Sequence, residues 1–243
     1  MNIYDKFNIN KDRKFFAVLI DPDKYDNKGL VTAMTSAREN KVDFILVGGS
    51  LLTNDHLDET LQSIKDQVDI PVILFPGSIL QINEKADALL LLSLISGRNA
   101  DLLIGKHVIA APYLKKSKLE ILPTGYMLIE SGPLTTAQYI TNTVPIPRSK
   151  DDIAACTAMA GEMLGLRLIY MDAGSGAEVP VSASMIRKVK DSISVPLIVG
   201  GGIRTPEQAL ASCIAGADMI VVGNAIEKDQ SCIKEIAHAV HSL

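Results

Sequence analysis

Three segments of the sequence combine glycine with small polar residues directly after a run of apolar residues. They are DAGSGA (172–177), GGGIRT (200–205) and GNAI (223–226). Glycine has no side chain, so a ligand can come close to the backbone at such positions. Where a helix begins after a segment, its unpaired N–H groups and the positive end of its dipole attract an anion. The pattern predicts a phosphate site built from backbone groups.

The residues expected to face this phosphate are shared among the three segments. They are Gly174, Ser175, Gly176, Gly201, Gly202, Gly223 and Asn224. A tight turn alone would explain the glycines of any one segment. Three such segments at the ends of neighbouring strands favour a ligand site.

Carboxylate and hydroxyl groups follow other apolar runs. Asp21 and Asp23 follow the first run within DPDK, and Ser50 follows the second. A carboxylate with a hydroxyl makes a modest Mg²⁺ site, because this ion keeps waters and takes ligands from substrate phosphates. The alternative is that Asp21 caps a turn and Ser50 caps a helix. Asp172 would act as a general base, hold a substrate hydroxyl or simply bond to backbone N–H groups.

Eight short apolar runs must position these residues. They are FFAVLI (15–20), FILVGG (44–49), PVILF (71–75), ALLLLSLI (88–95), GYMLIES (125–131), LRLIYMD (166–172), PLIVGG (196–201) and MIVVG (219–223). Most are continuous, as in parallel strands that are buried on both faces. Helix-like stretches separate them, which predicts an α/β fold, a (β/α)₈ TIM barrel with ligands at the carboxyl ends of the strands. An open doubly wound sheet is the alternative, but no G-x-G-x-x-G follows the first run.

Two places break the repeat. SILQINEKA (78–86) is short for a crossover helix, so we expect a modified third crossover. The stretch 132–150 is a long insertion, rich in Thr and Pro, that looks like a loop or lid. No segment resembles a linker, so residues 1–243 are expected to form a single TIM-barrel domain.

Composition excludes several classes of function. The chain has 243 residues, of which 47% are hydrophobic and 21% charged, and its net charge of −4 argues against nucleic-acid binding. No apolar run reaches the roughly 18 residues of a membrane span, and no signal peptide is recognisable. The three cysteines are interpreted as reduced, buried residues of a cytoplasmic protein. The residues alone therefore indicate a barrel enzyme for a small phosphorylated metabolite, with Mg²⁺.

Taken together, the segments resemble the geranylgeranylglyceryl phosphate synthase family. The matching stretches are LIDPDK (19–24), LVGGS (46–50), SGRNADLLIGKH (96–107), GYMLIESG (125–132), PIPRSKDDIAA (145–155), YMDAGSGA (170–177), VGGGIRTPEQA (199–209) and VVGNAIE (221–227). GGGI followed by VVGN is shared by many phosphate-binding barrels. The other stretches, in this order, are much more specific and cover nearly the whole chain.

The resemblance implies a prenyl transfer. The C3 hydroxyl of sn-glycerol 1-phosphate attacks C1 of geranylgeranyl diphosphate, and diphosphate leaves with the help of Mg²⁺. The product is geranylgeranylglyceryl phosphate, the first ether of an archaeal-type lipid. By resemblance, Asp21 and Ser50 hold the metal, and Asp172 and Tyr170 are catalytic. The implied glycerol 1-phosphate residues are Tyr170, Met171, Asp172, Ala173, Gly174, Ser175, Gly176, Gly201, Gly202, Gly223 and Asn224.

Two residues depart from the family pattern. Members often carry Glu where Asp172 stands, and Asp is one methylene shorter, which weakens its assignment as the base. One branch has Lys two positions before the metal-binding Asp, whereas this chain has Leu19 and falls in the other branch. The C20 chain requires an apolar groove, which we expect to open at the third crossover and the insertion 132–150.

Other readings stay open at this point. A phosphoribosyl isomerase would use Asp21 and Asp172 as an acid/base pair and would not require Mg²⁺. A non-catalytic barrel that keeps its phosphate pocket is the second alternative. The resemblance also implies a homo-oligomer, a dimer or a larger ring such as a hexamer, in the cytoplasm without stable membrane insertion.

Overall fold

The computed structural model describes residues 2–9 and 13–243. Within these residues eight parallel strands close into a barrel, each beside its neighbour in sequence, and the last beside the first. The strands are β1 (Phe15–Ile20), β2 (Phe44–Val47), β3 (Val72–Leu74), β4 (Ala88–Leu94), β5 (Glu120–Leu128), β6 (Leu168–Asp172), β7 (Leu197–Gly200) and β8 (Met219–Val222). The predicted (β/α)₈ barrel is confirmed. Each predicted run overlaps a strand, although β5 begins five residues before the predicted start.

Helices surround the barrel. In the described ranges they are α1 (Ile3–Ile9), α2 (Asn27–Glu39), α3 (Leu57–Gln67), α4 (Lys106–Lys116), α5 (Thr136–Thr141), α6 (Asp151–Met163), α7 (Ala183–Lys190), α8 (Pro206–Ile214), α9 (Asn224–Lys228) and α10 (Cys232–His241). A π-helical turn, Asp101–Gly105, leads into α4. Helix α8 begins with a capping box, in which Thr205 and Gln208 bond to each other's backbone N–H.

The strands are apolar on both faces because each face packs into a separate core. Along β2, Phe44 and Leu46 belong to the core that fills the barrel, whereas Ile45 and Val47 belong to the core under the helices. Helix α1, which the sequence analysis did not predict, adds Phe7 to the inner core. The Phe7 ring lies 5.8 Å from the Phe44 ring. This helix therefore closes one end of the barrel.

The third crossover departs most from the strand–helix repeat, and the predicted modification is confirmed. Strand β3 has three residues and is followed by a single 3₁₀ turn, Ile79–Gln81, in place of a helix. In the described part of the chain, two residue pairs join β3 to β4, Ile73 with Ala88 and Leu74 with Leu89. Within residues 2–9 and 13–243, no full helix therefore covers the outer face of the sheet between α3 and α4.

The insertion 132–150 is more ordered than a plain loop. It holds α5, which begins with a capping box between Thr135 and Gln138, and a parallel bridge joins Ile146 to Ile129. The expectation of three buried cysteines is wrong for two of them. All are free, but Cys156 is exposed and Cys232 half-buried, and only Cys213 is buried.

Candidate active site

A cavity of about 780 Å³ opens at the carboxyl ends of the strands. Residues after β6, β7 and β8 form one side of it, and the segment after β3 forms the other side together with residues of β4 and α4. Asp21 and Ser50, after β1 and β2, lie between the two sides. The cavity therefore has a glycine-rich arm and an apolar arm, with acidic and hydroxyl groups where they meet.

Two observations explain the glycines of the glycine-rich arm: their backbone φ is positive, and at some of them a Cβ would clash with neighbouring atoms. Gly174, Gly176, Gly201 and Gly202 all have a positive φ, between +71° and +93°. A Cβ on Gly201 would lie 2.6 Å from Oδ1 of Asp172 and 2.6 Å from the Gly174 amide nitrogen. The loops after β6 and β7 thus meet backbone to backbone, and their glycines leave room for a ligand above them.

Some of the predicted phosphate donors are used within the protein. The N–H of Gly174 donates to Asp172 Oδ1 at 2.7 Å, and the N–H of Gly176 donates to Asn224 Oδ1 at 2.9 Å. The Ser175 hydroxyl donates to the same Asn224 oxygen at 3.3 Å. The side chain of Asn224 therefore holds the loop after β6 in place. Asn224 is also the first residue of α9.

The loop after β7 lines the cavity, but the backbone N–H groups just before α8 bond within the protein. The N–H groups of Arg204 and Thr205 donate to Gln208 Oε1 at 2.7 and 3.3 Å, so the capping box occupies this helix end. The Arg204 guanidinium donates to the carbonyl of Ala177 at 2.7 Å and lines the cavity. It supplies a positive charge beside the glycines, which favours an anion there.

Asp172 is buried at the end of β6, and both its oxygens are engaged. Oδ2 accepts a hydrogen bond of 2.5 Å from the Tyr126 hydroxyl, and Oδ1 accepts the N–H of Gly174. Burial raises the pKa of Asp172, and the two hydrogen bonds oppose that rise. Asp172 therefore has a held orientation and a pKa above the ordinary value, as a general base requires.

Three aromatic rings lie below Asp172. Tyr126 and Tyr170 are edge-to-face at 5.6 Å, and Phe75 stacks on Tyr170 at 5.1 Å. A Cβ on Gly200 would lie 2.4 Å from the Tyr170 hydroxyl, so this hydroxyl lies close against the β7 backbone. Burial and then the charge of Asp172 raise the pKa of Tyr170 well above its usual range, so the phenol stays neutral.

The candidate metal residues share the cavity. Asp21 is half-buried; its Oδ1 accepts the N–H of Asp23, and its Oδ2 faces the backbone of Gly49. Burial raises the pKa of Asp21. Glu227, on α9, is half-buried; burial and then the charge of Asp21 raise its pKa, and a hydrogen bond from Asn224 opposes this. The charge of Asp21 therefore acts on Glu227 from the neighbouring part of the cavity.

The donor set fits Mg²⁺ and not a fully protein-coordinated ion. Among the described residues no group of three or more His, Cys, Asp or Glu is placed to hold a metal. One carboxylate and the Ser50 hydroxyl leave most positions to water and substrate oxygens, which is how Mg²⁺ usually binds.

The structure brings most of the predicted site residues to one cavity. Those lining it are Asp21, Ser50, Tyr170, Asp172, Gly174, Ser175, Gly176, Gly201, Gly202, Gly223 and Asn224. Met171 and Ala173 do not line it. They alternate with Tyr170 and Asp172 along the strand, so their side chains pack under the helices instead.

The polar cavity residues that sequence reasoning missed include five: Tyr126, Lys24, His107, Arg204 and Glu227. All five fall inside the quoted motifs, and Lys24 completes DPDK. Tyr126 also lies in β5, an apolar strand that pairs with β6, the strand of Asp172. A hydroxyl group in such a strand could have indicated that Tyr126 belongs to the site. The Nε2 of His107 lies 2.9 Å from the Leu92 carbonyl oxygen at the cavity wall.

The apolar arm crosses from the inside of the barrel to its outside. Leu90 faces the inner core and Leu89 the outer core, yet both line the cavity, with Ala110 and Leu114 of α4. Such a passage exists because β3 is short and a single 3₁₀ turn follows it in place of a helix. Ile140 of α5 also lines the cavity, so the insertion contributes to its wall.

These features define a class: a (β/α)₈ barrel with a backbone-built anion pocket at β6 to β8 and an apolar channel at the third crossover. The PcrB family model matches residues 7–240, and the chain belongs to that family. The predicted resemblance to geranylgeranylglyceryl phosphate synthases is confirmed.

Relatives and solved structures agree on the family. A geranylgeranylglyceryl phosphate synthase of Chitinophaga pinensis is 57% identical over 99% of this chain and 96% of its own. One from Methanosphaera stadtmanae is 41% identical, with 99% and 100% covered. A crystal structure of (S)-3-O-geranylgeranylglyceryl phosphate synthase from Thermoplasma acidophilum, in complex with sn-glycerol-1-phosphate, has a TM-score of 0.94 at 35% identity, with both chains fully covered. The prediction of a prenyltransferase enzyme is confirmed at this level. Across the described ranges, no helix has the length and apolar character needed to traverse a bilayer.

Proposed function

We propose that this protein transfers the geranylgeranyl group of geranylgeranyl diphosphate to the C3 hydroxyl of sn-glycerol 1-phosphate, with Mg²⁺ as cofactor. The observation that carries the proposal is the two-armed cavity. One arm suits a small phosphate and the other a long hydrocarbon, and they meet beside Asp21. A bond between these two kinds of substrate would form at that junction.

The acceptor would occupy the glycine-rich arm. Gly202 and Gly223 would let the phosphate approach the backbone, and Arg204 adds positive charge. Asp172 lies at the base of this arm, where it would contact the glycerol hydroxyls. The Thermoplasma acidophilum structure contains sn-glycerol-1-phosphate, which supports this choice of acceptor.

The prenyl chain would occupy the apolar arm. Burial of each CH₂ group is worth about 0.8 kcal/mol, so a C20 chain is held mainly by the area it hides from water. Leu89, Ala110 and Leu114 offer such a surface outside the barrel, and Phe75 and Leu90 offer it inside. The diphosphate end would then lie near Asp21 and Ser50.

Asp21 and Ser50 would hold Mg²⁺, which when bound neutralises charge on the departing diphosphate. Lys24 and Lys228 also line this part of the cavity and would attract the same diphosphate. The protein's other task is to hold the alcohol in line with C1 of the donor.

Asp172 would take the proton of the attacking hydroxyl. Its hydrogen bonds to Tyr126 and Gly174 fix its orientation, and its raised pKa increases its strength as a base. Tyr170 would serve as a wall that positions the glycerol, since its phenol is buried against β7. The predicted homo-oligomer, a dimer or hexamer, and the cytoplasmic location stay predictions.

A transfer assay tests this proposal. Purified protein and Mg²⁺ would be mixed with labelled sn-glycerol 1-phosphate and prenyl diphosphates of increasing length, with the sn-glycerol 3-phosphate enantiomer in parallel. We expect an organic-extractable product from the first enantiomer alone, best with the C20 donor, and none after chelation of the metal. Absence of product with every donor, from folded protein that binds phosphate, would reject the proposal.

A further inference from the structure

Glu227 lies on the first turn of α9 and faces the cavity, outside every role assigned above. Its Oε2 accepts a hydrogen bond of 3.1 Å from the Nδ2 of Asn224. Across the cavity, Asn224 Oδ1 accepts the N–H of Gly176 at 2.9 Å. A continuous chain of hydrogen bonds therefore runs from Glu227 through Asn224 to the loop after β6.

The two ends of this chain determine how the amide is oriented. An asparagine amide carries an acceptor on one side and a donor on the other, and the two are nearly the same size. The N–H of Gly176 can only donate, so it requires the oxygen of Asn224. An ionised Glu227 can only accept, so it requires the nitrogen. Glu227 thus excludes the flipped amide, in which the Asn224 nitrogen would face the N–H of Gly176.

The loop needs this brace because packing does not hold it at Gly176. A Cβ built on Gly176 would meet no atom of the described residues within 4 Å, and the φ of Gly176 is +82°. The other end of the turn is packed: a Cβ on Gly174 would lie 2.8 Å from the Thr135 hydroxyl, and the N–H of Gly174 bonds to Asp172. Gly176 itself is exposed and is held by its hydrogen bond to Asn224, whereas the next residue, Ala177, is buried.

We propose that Glu227 is a positioning residue: it fixes the amide of Asn224 and thereby the shape of the Gly174–Gly176 turn that receives glycerol 1-phosphate. This inference rests on the proposed function. A different role for Glu227 would be to lend its charge to the metal beside Asp21. The two roles predict different responses to a neutral side chain that still accepts a hydrogen bond.

The test compares Glu227→Gln with Glu227→Ala in steady-state assays that vary each substrate separately. We expect Glu227→Ala to raise the KM for glycerol 1-phosphate about tenfold, the cost of a hydrogen bond to a charged group, with little change in the KM for the prenyl diphosphate. We expect Glu227→Gln to stay within about twofold of the parent, because its carbonyl oxygen still accepts from Asn224. Equal damage in both variants, seen in the prenyl diphosphate KM and the Mg²⁺ requirement, would overturn the proposal in favour of the charge role.

A double-mutant cycle and a control complete the design. If Glu227 acts through Asn224, the double variant Asn224→Ala/Glu227→Ala will bind glycerol 1-phosphate no more weakly than Asn224→Ala alone. Additive losses would contradict this. Glu235→Ala, exposed on α10, is the matched control and should change nothing. Calorimetry measures the binding of glycerol 1-phosphate independently of turnover. If the parent protein bound glycerol 1-phosphate but transferred no prenyl group, the proposed function would be rejected, and the role of Glu227 could still be tested by binding.

Discussion

The two arms of the cavity are built by opposite means. On the β6 to β8 side, backbone groups and short side chains are hydrogen-bonded to one another, as in the contacts of Asp172 with Gly174 and of Asn224 with Gly176. On the β3 to β4 side, two residue pairs join the strands, against seven between β4 and β5, and the walls are aliphatic. The first arm can select a small ligand by fixed geometry. The second provides apolar area and tolerates changes in length.

Asp21 lies between the arms, and its removal tests whether they serve separate substrates. We expect Asp21→Ala to lower kcat about a thousandfold, because preorganised charge stabilisation of a leaving group is lost. Calorimetry should show glycerol 1-phosphate binding within about twofold of the parent, since Asp21 lies outside the glycine-rich arm. Asp55→Ala, on an exposed nearby loop, is the control. Weakened glycerol 1-phosphate binding with turnover spared would show that the division into two arms is wrong.

Gly201 tests the claim of fixed geometry in the first arm. We expect Gly201→Ala to lower kcat/KM for glycerol 1-phosphate about a hundredfold, because its Cβ would displace Asp172 and the Gly174 backbone by the order of an ångström. Gly165→Ala is a matched control: its φ is +86°, similar to the +78° of Gly201, but nothing lies within 4 Å of its Cβ. Both variants share the conformational strain and only one has the clash. Equal losses in the two would show that strain, and not the contact between loops, limits the site.

Tyr126 tests the state of Asp172 within the same arm. The phenol stabilises the charged form of Asp172, so its loss in Tyr126→Phe should raise the pKa of Asp172 further. Because the base acts when deprotonated, the acidic limb of the kcat profile should move up by about one pH unit, for a hydrogen bond worth about 1.5 kcal/mol. Activity would fall about tenfold on the acidic side and less at high pH. Tyr113→Phe, exposed on α4, is the control, and an unmoved limb would remove Asp172 as the base.

Ala110 tests the apolar arm, where we expect the smallest effect. Ala110→Phe would place a ring in the channel beside Leu114 and shorten the space for the prenyl chain. We expect kcat/KM with the C20 donor to fall about fivefold relative to the C10 donor, because hydrophobic pockets discriminate weakly by length. Competition between the two donors measures this ratio. Ala111→Phe, exposed on the same helix, should leave it unchanged; a shift in both variants would place the prenyl chain elsewhere.

Sequence patterns were sufficient for the barrel because its signals are local. Continuous apolar runs such as FFAVLI predicted β1 with its observed ends, and the start of α8 also has a local signal, the capping box of TPEQ (205–208). The shortness of 78–86 predicted the altered third crossover. Helix α1 was missed because its stability comes from contacts distant in sequence, including the Glu120 carboxylate that accepts the N–H groups of Ile3 and Tyr4.

The sequence by itself determined which segments reach the cavity, because strand ends and glycines can be recognised from short stretches of neighbouring residues. The tertiary structure alone decided how the members of these segments divide their roles. In the folded chain the N–H groups of Gly174 and Gly176 donate to Asp172 and Asn224. The side chain of Met171 packs under the helices, and Tyr126 bonds to Asp172, which is 46 positions away in sequence. The physical reason is that a hydrogen bond depends on distances of a few tenths of an ångström between groups on different strands, and only the closed barrel sets those distances.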